Sequence, residues 1–203
     1  MNEMPKTRNK TARRTLLIMV TVFAVPYLLA WFIYFKPGVV DLGTRNNGTL
    51  ISPMISSEQI HLSRPGGQSV AEAGDSDVWM LLSFGEGVCA TDCEKTLFTL
   101  QQLRKMVGVE KSRLRRAYVV PAGENYAPIE NGLARFEGTE LLVADAQRLR
   151  WLETQLGIET GELHRHIVIA DPKANLVMWY PREMDPKKIF ADIEILFGRV
   201  KRV

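Results

Sequence analysis

Apolar residues follow three different patterns along this chain. Residues Thr15 to Phe35 form a run of 21 without a charged side chain. Residues 36–76 are rich in Gly, Ser, Asn and Pro, whereas from residue 77 short apolar runs alternate with segments of helical spacing. The pattern predicts four segments: a basic N-terminus (1–14), an apolar helix (15–35), a tether (36–76) and a folded domain (77–203).

The apolar run has the length of a membrane-spanning helix. A helix of this length covers roughly 31 Å, close to the hydrocarbon thickness of a bilayer, whereas the apolar region of a cleavable signal usually has about 7 to 15 residues. Lys36 and Pro37 end the run, and no small-residue cleavage site follows it. A transmembrane helix is therefore expected, with a long buried helix or a cleaved signal as the alternatives.

The charges before this run predict its orientation. Glu3 is the only acidic residue among the first 14, and it is outnumbered by basic residues. Positive charge is retained on the cytoplasmic side of a membrane, so the N-terminus is expected in the cytoplasm and the rest of the chain outside. The basic residues are Lys6, Arg8, Lys10, Arg13 and Arg14.

The folded domain alternates strand-like and helix-like segments. The run DVWMLLSF at residues 77–84 is apolar almost throughout, which is typical of a strand buried on both faces. We predict further strands at 115–121, 139–145, 166–171 and 175–180, with helices at 91–107, 146–157 and 185–198. This order is that of a thioredoxin-like α/β fold, a mixed sheet with flanking helices. The tether is expected to add one short strand or hairpin around GTLISPMI at residues 48–55.

Charge and motifs exclude several classes of function. The formal net charge of +3 is modest, and the basic residues do not form a stripe with interleaved aromatic residues, so a nucleic-acid partner is not expected. The chain has no phosphate loop, dinucleotide fingerprint, Gly-x-Ser-x-Gly or His-Glu-x-x-His, and we expect no small-molecule substrate. Its two cysteines are a single pair, part of a metal site, or two unrelated buried thiols.

Cys89 and Cys93 lie at the head of the first predicted helix of the domain. If that helix begins near Cys89, side chains at i and i+4 share one face, close to the helix N-terminus. The macrodipole and the free N–H groups there favour thiolate, which is the form that ligates metal and attacks a disulfide. Outside the cytoplasm the same pair is also compatible with a plain structural disulfide.

These motifs resemble a known family. An apolar N-terminal segment, GVCATDCEKTLFTLQQLR after a strand, and HIVIADPKANLVMWYP near the end are similar to the Sco/SenC family of copper-handling, thioredoxin-like cytochrome c oxidase assembly proteins. The resemblance covers about residues 40–198 and is strongest to a small bacterial branch of membrane-anchored members. It implies an inner (plasma) membrane protein with a single span and its domain in the periplasm.

The resemblance implies a copper(I) site. Cys89 and Cys93 would be two ligands and His166 the third, with His164 as the alternative histidine. The protein would then deliver copper to the copper centre of cytochrome c oxidase, and its partner would be an oxidase subunit or another copper or redox assembly factor. Such a role is more typical of a metallochaperone than of a conventional enzyme.

Two other functions use the same residues differently. A thiol–disulfide reductase of the copper-site cysteines in the oxidase would need only Cys89 and Cys93, with Cys89 expected as the attacking thiol. A membrane-anchored scaffold would bind oxidase subunits without chemistry, its cysteines joined in a structural disulfide. The residues alone leave these alternatives open.

Overall fold

The computed structural model describes residues 8–35, 46–70, 77–89, 91–123 and 125–200. The chain divides into two compact units, Met1–Arg45 and Asn46–Val203. In the first unit a single helix, α1 (Arg8–Phe35), contains the predicted segment 15–35 and carries Pro26 in its interior. Within the described residues, no helix combines the length and the apolar character that crossing a membrane requires. The predicted membrane crossing stays a prediction.

The second unit is built on one six-stranded mixed sheet in the order β1-β6-β5-β2-β3-β4. β2, β3 and β4 are parallel to one another, and the remaining neighbours pair antiparallel. The predicted alternation of strands and helices agrees with this order, usually to within two residues at each boundary. The strands are β1 (Thr49–Ser56), β2 (Trp79–Phe84), β3 (Leu114–Pro121), β4 (Thr139–Ala144), β5 (His166–Ala170) and β6 (Asn175–Pro181); the helices are α2 (Thr91–Met106), α3 (Tyr126–Leu133), α4 (Ala146–Leu156) and α5 (Pro186–Val200).

The predicted tether is wrong over residues 46–70, which belong to the folded unit. β1 pairs antiparallel with β6, and Leu62 and Val70 reach the core beyond it. Only one face of this edge strand is buried, at Ile51 and Ile55, so its apolar signal is sparse. The strand expected around residues 48–55 is present. The rest of the predicted tether, at 36–45 and 71–76, lies outside the described residues.

Helix α3 was not predicted from the sequence. Only Ile129 and Leu133 of its eight residues are buried, so the sequence has too few apolar positions here to show a helical pattern. Pro128 lies in its first turn, where a missing N–H breaks no intrahelical hydrogen bond. Asn125 caps the helix, its side chain accepting from the N–H of Ala127 at 3.3 Å.

The sheet separates two apolar cores. Helix α4 and the segment after β1 cover one face, whereas α2, α3 and α5 cover the other. Side chains of a strand alternate between the faces, and β5 shows this directly. Ile167 and Ile169 point into the core under α2 and α5, whereas Val168 and Ala170 point into the core under α4.

A buried carboxylate anchors the beginning of this unit. Asp192 on α5 is 1% exposed and accepts from the backbone N–H of Asn47 at 2.8 Å and of Gly48 at 3.0 Å. The hydroxyl of Tyr180 on β6 donates to the same carboxylate at 3.0 Å. Burial, reinforced by the charge of Asp192, raises the pKa of Tyr180 far above its usual value. These bonds tie the entering chain to α5 and β6.

Replacing this carboxylate should destabilise the domain strongly. Asp192→Ala leaves the N–H groups of Asn47 and Gly48 and the hydroxyl of Tyr180 without their acceptor, so we expect the free energy of unfolding to fall by about 3 kcal/mol. Urea unfolding of the full-length chain, followed by tryptophan fluorescence, measures this change. Glu194→Ala, an exposed position on the same helix, is the matched control and should change stability by less than about 0.5 kcal/mol. Equal effects of the two substitutions would contradict the anchoring role.

Candidate redox site

Cys89 and Cys93 are joined by a disulfide between the end of β2 and the start of α2. Their Cα atoms are 5.2 Å apart, within the usual range for a bridge. Helix α2 begins at Thr91, so Cys89 lies just before the helix and Cys93 in its first turn. The bridge therefore brings both sulfurs to one point of the fold, at the junction between β2 and α2.

The loop before the disulfide is held against β3. The N–H of Gly85 donates to the carbonyl of Val119 at 3.0 Å, and the hydroxyl of Tyr118 donates to the carbonyl of Gly87 at 3.1 Å. A Cβ atom at residue 85 would collide with the hydroxyl of Tyr118. Glycine is therefore required where the loop passes over this ring.

The two cysteines differ in exposure. Cys89 is 7% exposed and packs in the core under α2 and α5, whereas Cys93 is half-buried and lines an open groove of about 230 Å³. An attacking or attacked sulfur has to be reached by its partner. The geometry thus favours Cys93 as the reactive sulfur, in contrast to the expectation for Cys89. The reason is that Cys89, which lies ahead of α2, is buried in the core.

Ionisable residues from four segments line this groove. Asp92 comes from α2, Glu86 from the loop after β2, His164 from the turn before β5, and Arg182 follows the end of β6. Arg182 Nη2 lies 3.7 Å from Asp92 Oδ2, so an ion pair spans the groove beside Cys93. Phe84, Val88 and Tyr118 supply apolar lining.

A second groove of about 500 Å³ adjoins the first. It runs between α4 and the turn at residues 160–164, and it shares Phe84, Gly85, Glu86 and His164 with the groove at Cys93. Leu149 and Leu163 give it an apolar lining. The disulfide therefore opens onto a longer depression along the end of the sheet.

His164 lies where the two grooves meet. Its Nδ1 is 2.8 Å from the carbonyl oxygen of Gly161. A carbonyl only accepts, so Nδ1 carries a proton, and in the neutral tautomer that this bond selects Nε2 has the lone pair. The imidazole is exposed and directed into both grooves.

Glu153 holds the turn that carries His164. This α4 residue is 5% exposed, and its Oε1 accepts from the N–H groups of Gly161 at 3.0 Å and Leu163 at 3.2 Å. Sequence reasoning missed this residue. The signal was an acidic residue on the apolar face of α4, beside Leu149, Leu152 and Leu156.

His166 is not brought to the cysteines. Its ring packs edge-on against Trp179 with centroids 5.0 Å apart, and its Nδ1 is 2.9 Å from the carbonyl oxygen of Glu162. By the alternation of β5 it shares a face with Val168, whereas Cys89 lies in the core of the other face. The preference for His166 over His164 as the third ligand has no support in this geometry.

Among the described residues, no three His, Cys, Asp or Glu side chains are placed to hold a metal ion together. Both sulfurs are committed to the disulfide, and a metal such as copper(I) binds thiolate. The oxidised domain therefore does not fit a copper site.

Residues 79–198 run from the start of β2 into α5, and they match the family described as transmembrane-like, thioredoxin-like, C-terminal domain. The chain belongs to this family. No match was found among curated proteins. Membership agrees with the mixed sheet and the predicted thioredoxin-like fold.

Solved structures of similar fold come from Sco proteins. Yeast Sco1 with copper bound is 16% identical, with a TM-score of 0.52 over 79% of this chain and 96% of that chain. BsSco, a Sco-family cytochrome c oxidase assembly protein with an identified disulfide switch, is 12% identical, with a TM-score of 0.53 over 77% and 98%. A SCO1/SenC family lipoprotein from Bacillus anthracis is 12% identical, with a TM-score of 0.50 over 76% and 96%. At these identities the similarity establishes the thioredoxin-like fold.

Proposed function

We propose that this protein is a cytochrome c oxidase assembly factor that works by thiol–disulfide exchange at Cys89 and Cys93. The observation that carries the proposal is the disulfide itself, which has one sulfur buried and the other open to a groove at the start of a helix. A purely structural bridge needs neither the open sulfur nor the charged residues around it. A two-electron exchange requires two thiols that can reach each other, and the bridge shows that Cys89 and Cys93 do.

The exchange proceeds in two balanced steps. In the reduced domain, the thiolate of Cys93 attacks a disulfide of the partner protein, which forms a mixed disulfide and releases one partner thiolate. The thiolate of Cys89 then attacks Cys93 Sγ, which closes the bridge seen here and releases the second partner thiolate. The partner gains two electrons, and a dithiol donor protein returns the domain to its reduced form.

The connection to cytochrome c oxidase rests on fold and motif together. Sco proteins are among the structural neighbours, and the structure of BsSco is described as identifying a disulfide switch. The cysteines of this chain occupy the strand-to-helix junction that the sequence motif led us to expect. We infer that the partner is an oxidase subunit with copper-site cysteines, or another copper or redox assembly factor.

Single cysteine variants should trap different species. Cys89→Ser retains the exposed attacking thiol but cannot resolve the mixed disulfide, so we expect a covalent complex with the partner on a non-reducing gel. Cys93→Ser removes the accessible sulfur and should trap little or none. Both variants should reduce oxidase assembly, measured as copper-dependent oxidase activity in cells that lack the wild-type chain.

The double variant is the decisive control for this prediction. Cys89→Ser with Cys93→Ser should trap nothing and should fail to support oxidase assembly. Normal oxidase assembly with the double variant would show that the protein acts as a scaffold and that assembly does not need its thiols. Stronger trapping by Cys93→Ser would reassign the attacking role to Cys89.

A second candidate function is copper(I) delivery, with copper as the cargo. The observation that favours it is that His164 and Cys93 line one groove, with the Nε2 of His164 free to bind. Once reduced, the pair supplies two thiols, and two thiolates with an imidazole are a donor set that suits copper(I). Reduction of the disulfide would then control whether cargo is held.

The two histidines should behave differently toward copper(I). We expect His164→Ala to weaken binding by more than about tenfold, because it removes a ligand at the groove. His166→Ala is the matched control and should leave the affinity unchanged, because that ring lies against Trp179. Titration of the reduced full-length chain against a competing chelator measures both. Loss of binding with His166→Ala alone would contradict this assignment.

We also propose that α1 anchors the protein in the inner membrane, with the domain in the periplasm. The 21 residues from Thr15 to Phe35 include no charged residue. Leu17, Phe23 and Tyr27 are 64%, 71% and 81% exposed, an arrangement that favours a lipid environment. The basic residues before the run favour a cytoplasmic N-terminus.

Charges in the middle of α1 should release the protein. Val20→Arg with Phe23→Arg costs about 5 kcal/mol or more on membrane-insertion scales, so we expect the chain to leave the membrane pellet after alkaline extraction. Val20→Ala with Phe23→Ala is the matched control and should stay in the pellet. In spheroplasts the wild-type domain should be cut by added protease, and its protection would contradict the proposed orientation.

A further inference from the structure

An arginine is buried in the apolar core under α2, α3 and α5. Arg116 on β3 is 2% exposed. Leu114 and Tyr118, two positions before and after it, belong to that core, so the alternation of the strand directs Arg116 to the same face. A charge taken out of water is unfavourable unless it is paired and hydrogen-bonded. The partners of this guanidinium therefore matter.

Two of the three guanidinium nitrogens of Arg116 have no protein acceptor. Nη2 donates to the backbone carbonyl of Glu137. Nε and Nη1 are buried and have no hydrogen-bond partner in the described part of the chain. A Cβ atom at Gly138 would lie 3.3 Å from Nη2, so the turn before β4 packs closely against the guanidinium. The unpaired donors are thus fixed at this point of the core.

A second buried group without a partner lies beside Arg116. Thr139 is its direct neighbour in the parallel register of β3 and β4, so both side chains project from the same face of the sheet. The Oγ1 of Thr139 is also buried without a hydrogen-bond partner. Among the described residues, three of the seven such side-chain atoms belong to this one cross-strand pair. Guanidinium N–H groups only donate and a hydroxyl can donate, so an acceptor between the strands would serve both residues.

A second arginine adds positive charge to the same region. Arg104 lies in the last turn of α2, and its Nε donates to the carbonyl of Leu114 at 2.9 Å. Burial, and after it the charge of Arg104, lowers the pKa of Arg116. A guanidinium nevertheless stays charged at neutral pH, because its ordinary pKa lies above about 12. The region therefore carries two positive charges.

The acidic residues on either side of Thr139 do not neutralise these charges. Glu140 belongs to the opposite face of the sheet, where its Oε1 accepts from Arg115 Nε at 2.6 Å. The side chain of Glu137 is exposed, and within the described ranges it forms no ion pair. The same holds for Arg116, which has no carboxylate partner in those ranges. The protein thus supplies donors and positive charge here without a matching negative group.

We propose that Arg116 and Thr139 form a binding site for a small inorganic anion such as chloride. The guanidinium and the hydroxyl donate to the anion, and Arg104 strengthens the attraction through its charge. Both side chains lie near the amino ends of β3 and β4, whereas the groove at Cys93 lies at the carboxyl end of β2. The site therefore acts on the stability of the domain and is independent of the proposed exchange.

The test measures whether chloride stabilises the full-length chain in a non-ionic detergent. Urea unfolding, followed by tryptophan fluorescence, is compared in sodium chloride and in sodium gluconate of equal ionic strength. Gluconate is too large for a buried site, so the unfolding midpoint should rise with chloride concentration and stay lower in gluconate. Broadening of the chloride NMR line by the folded chain detects the binding directly.

Four variants locate the bound ion. Arg116→Met removes the charge and should abolish both the chloride dependence and the line broadening. Thr139→Val keeps the shape but removes the hydroxyl, so it should weaken chloride affinity by about tenfold. Thr139→Ser retains a hydroxyl, and Arg148→Gln removes an exposed arginine on α4. Both of these controls should keep the chloride dependence of the parent.

Two results would overturn the proposal. The first is an equal unfolding midpoint in chloride and gluconate without line broadening, which would mean that water pairs these donors. The second is a parent-like chloride dependence in Arg116→Met and Thr139→Val, which would place the ion elsewhere. If Arg116→Met does not fold, the comparison of Thr139→Val with Thr139→Ser still decides. The cysteine variants test the proposed function separately, so neither result bears on it.

Discussion

The burial of β2 on both faces is the constraint on which the domain depends. All six residues of this strand are buried, and it lies between β5 and β3 near the centre of the sheet. Helices must cover both faces of such a strand, which places α4 on one side and α2, α3 and α5 on the other. At the carboxyl end of β2 the chain reaches solvent, and Phe84 to Glu86 line both grooves there.

The chemistry of the domain follows from how the chain leaves β2. Gly85 passes over the ring of Tyr118, and the loop turns Cys89 into the core before α2 begins. Cys93, in the first turn of that helix, is left at the surface of the groove. A pair with one protected and one accessible sulfur is suited to exchange in which one thiol attacks and the other resolves.

Charge at the groove is contributed by segments that are distant in sequence. Asp92 belongs to α2, His164 to the turn before β5, and Arg182 to the end of β6. A buried glutamate on α4, Glu153, fixes the turn that presents the imidazole. The disulfide and side chains from several segments thus come together at the carboxyl end of β2, which explains why neither groove is formed by one segment alone.

The sequence by itself determined the central elements of this protein, because their signals are local. A two-sided apolar run marks β2, apolar residues at every third or fourth position mark α2, and the cysteine spacing places both thiols at the junction between them. The same reasoning missed α3, which buries only two residues, and placed the strand expected at residues 48–55 in a tether outside the folded domain, because one face of β1 is exposed. Only the tertiary structure decided which histidine lines the groove at Cys93 and which cysteine is accessible. His164 and His166 are only two residues apart, but β5 begins at His166 and His164 lies in the turn before it. From His166 onward the side chains alternate between the two cores. The residue at which this alternation begins is set by the pairing of β5 with β2 and β6.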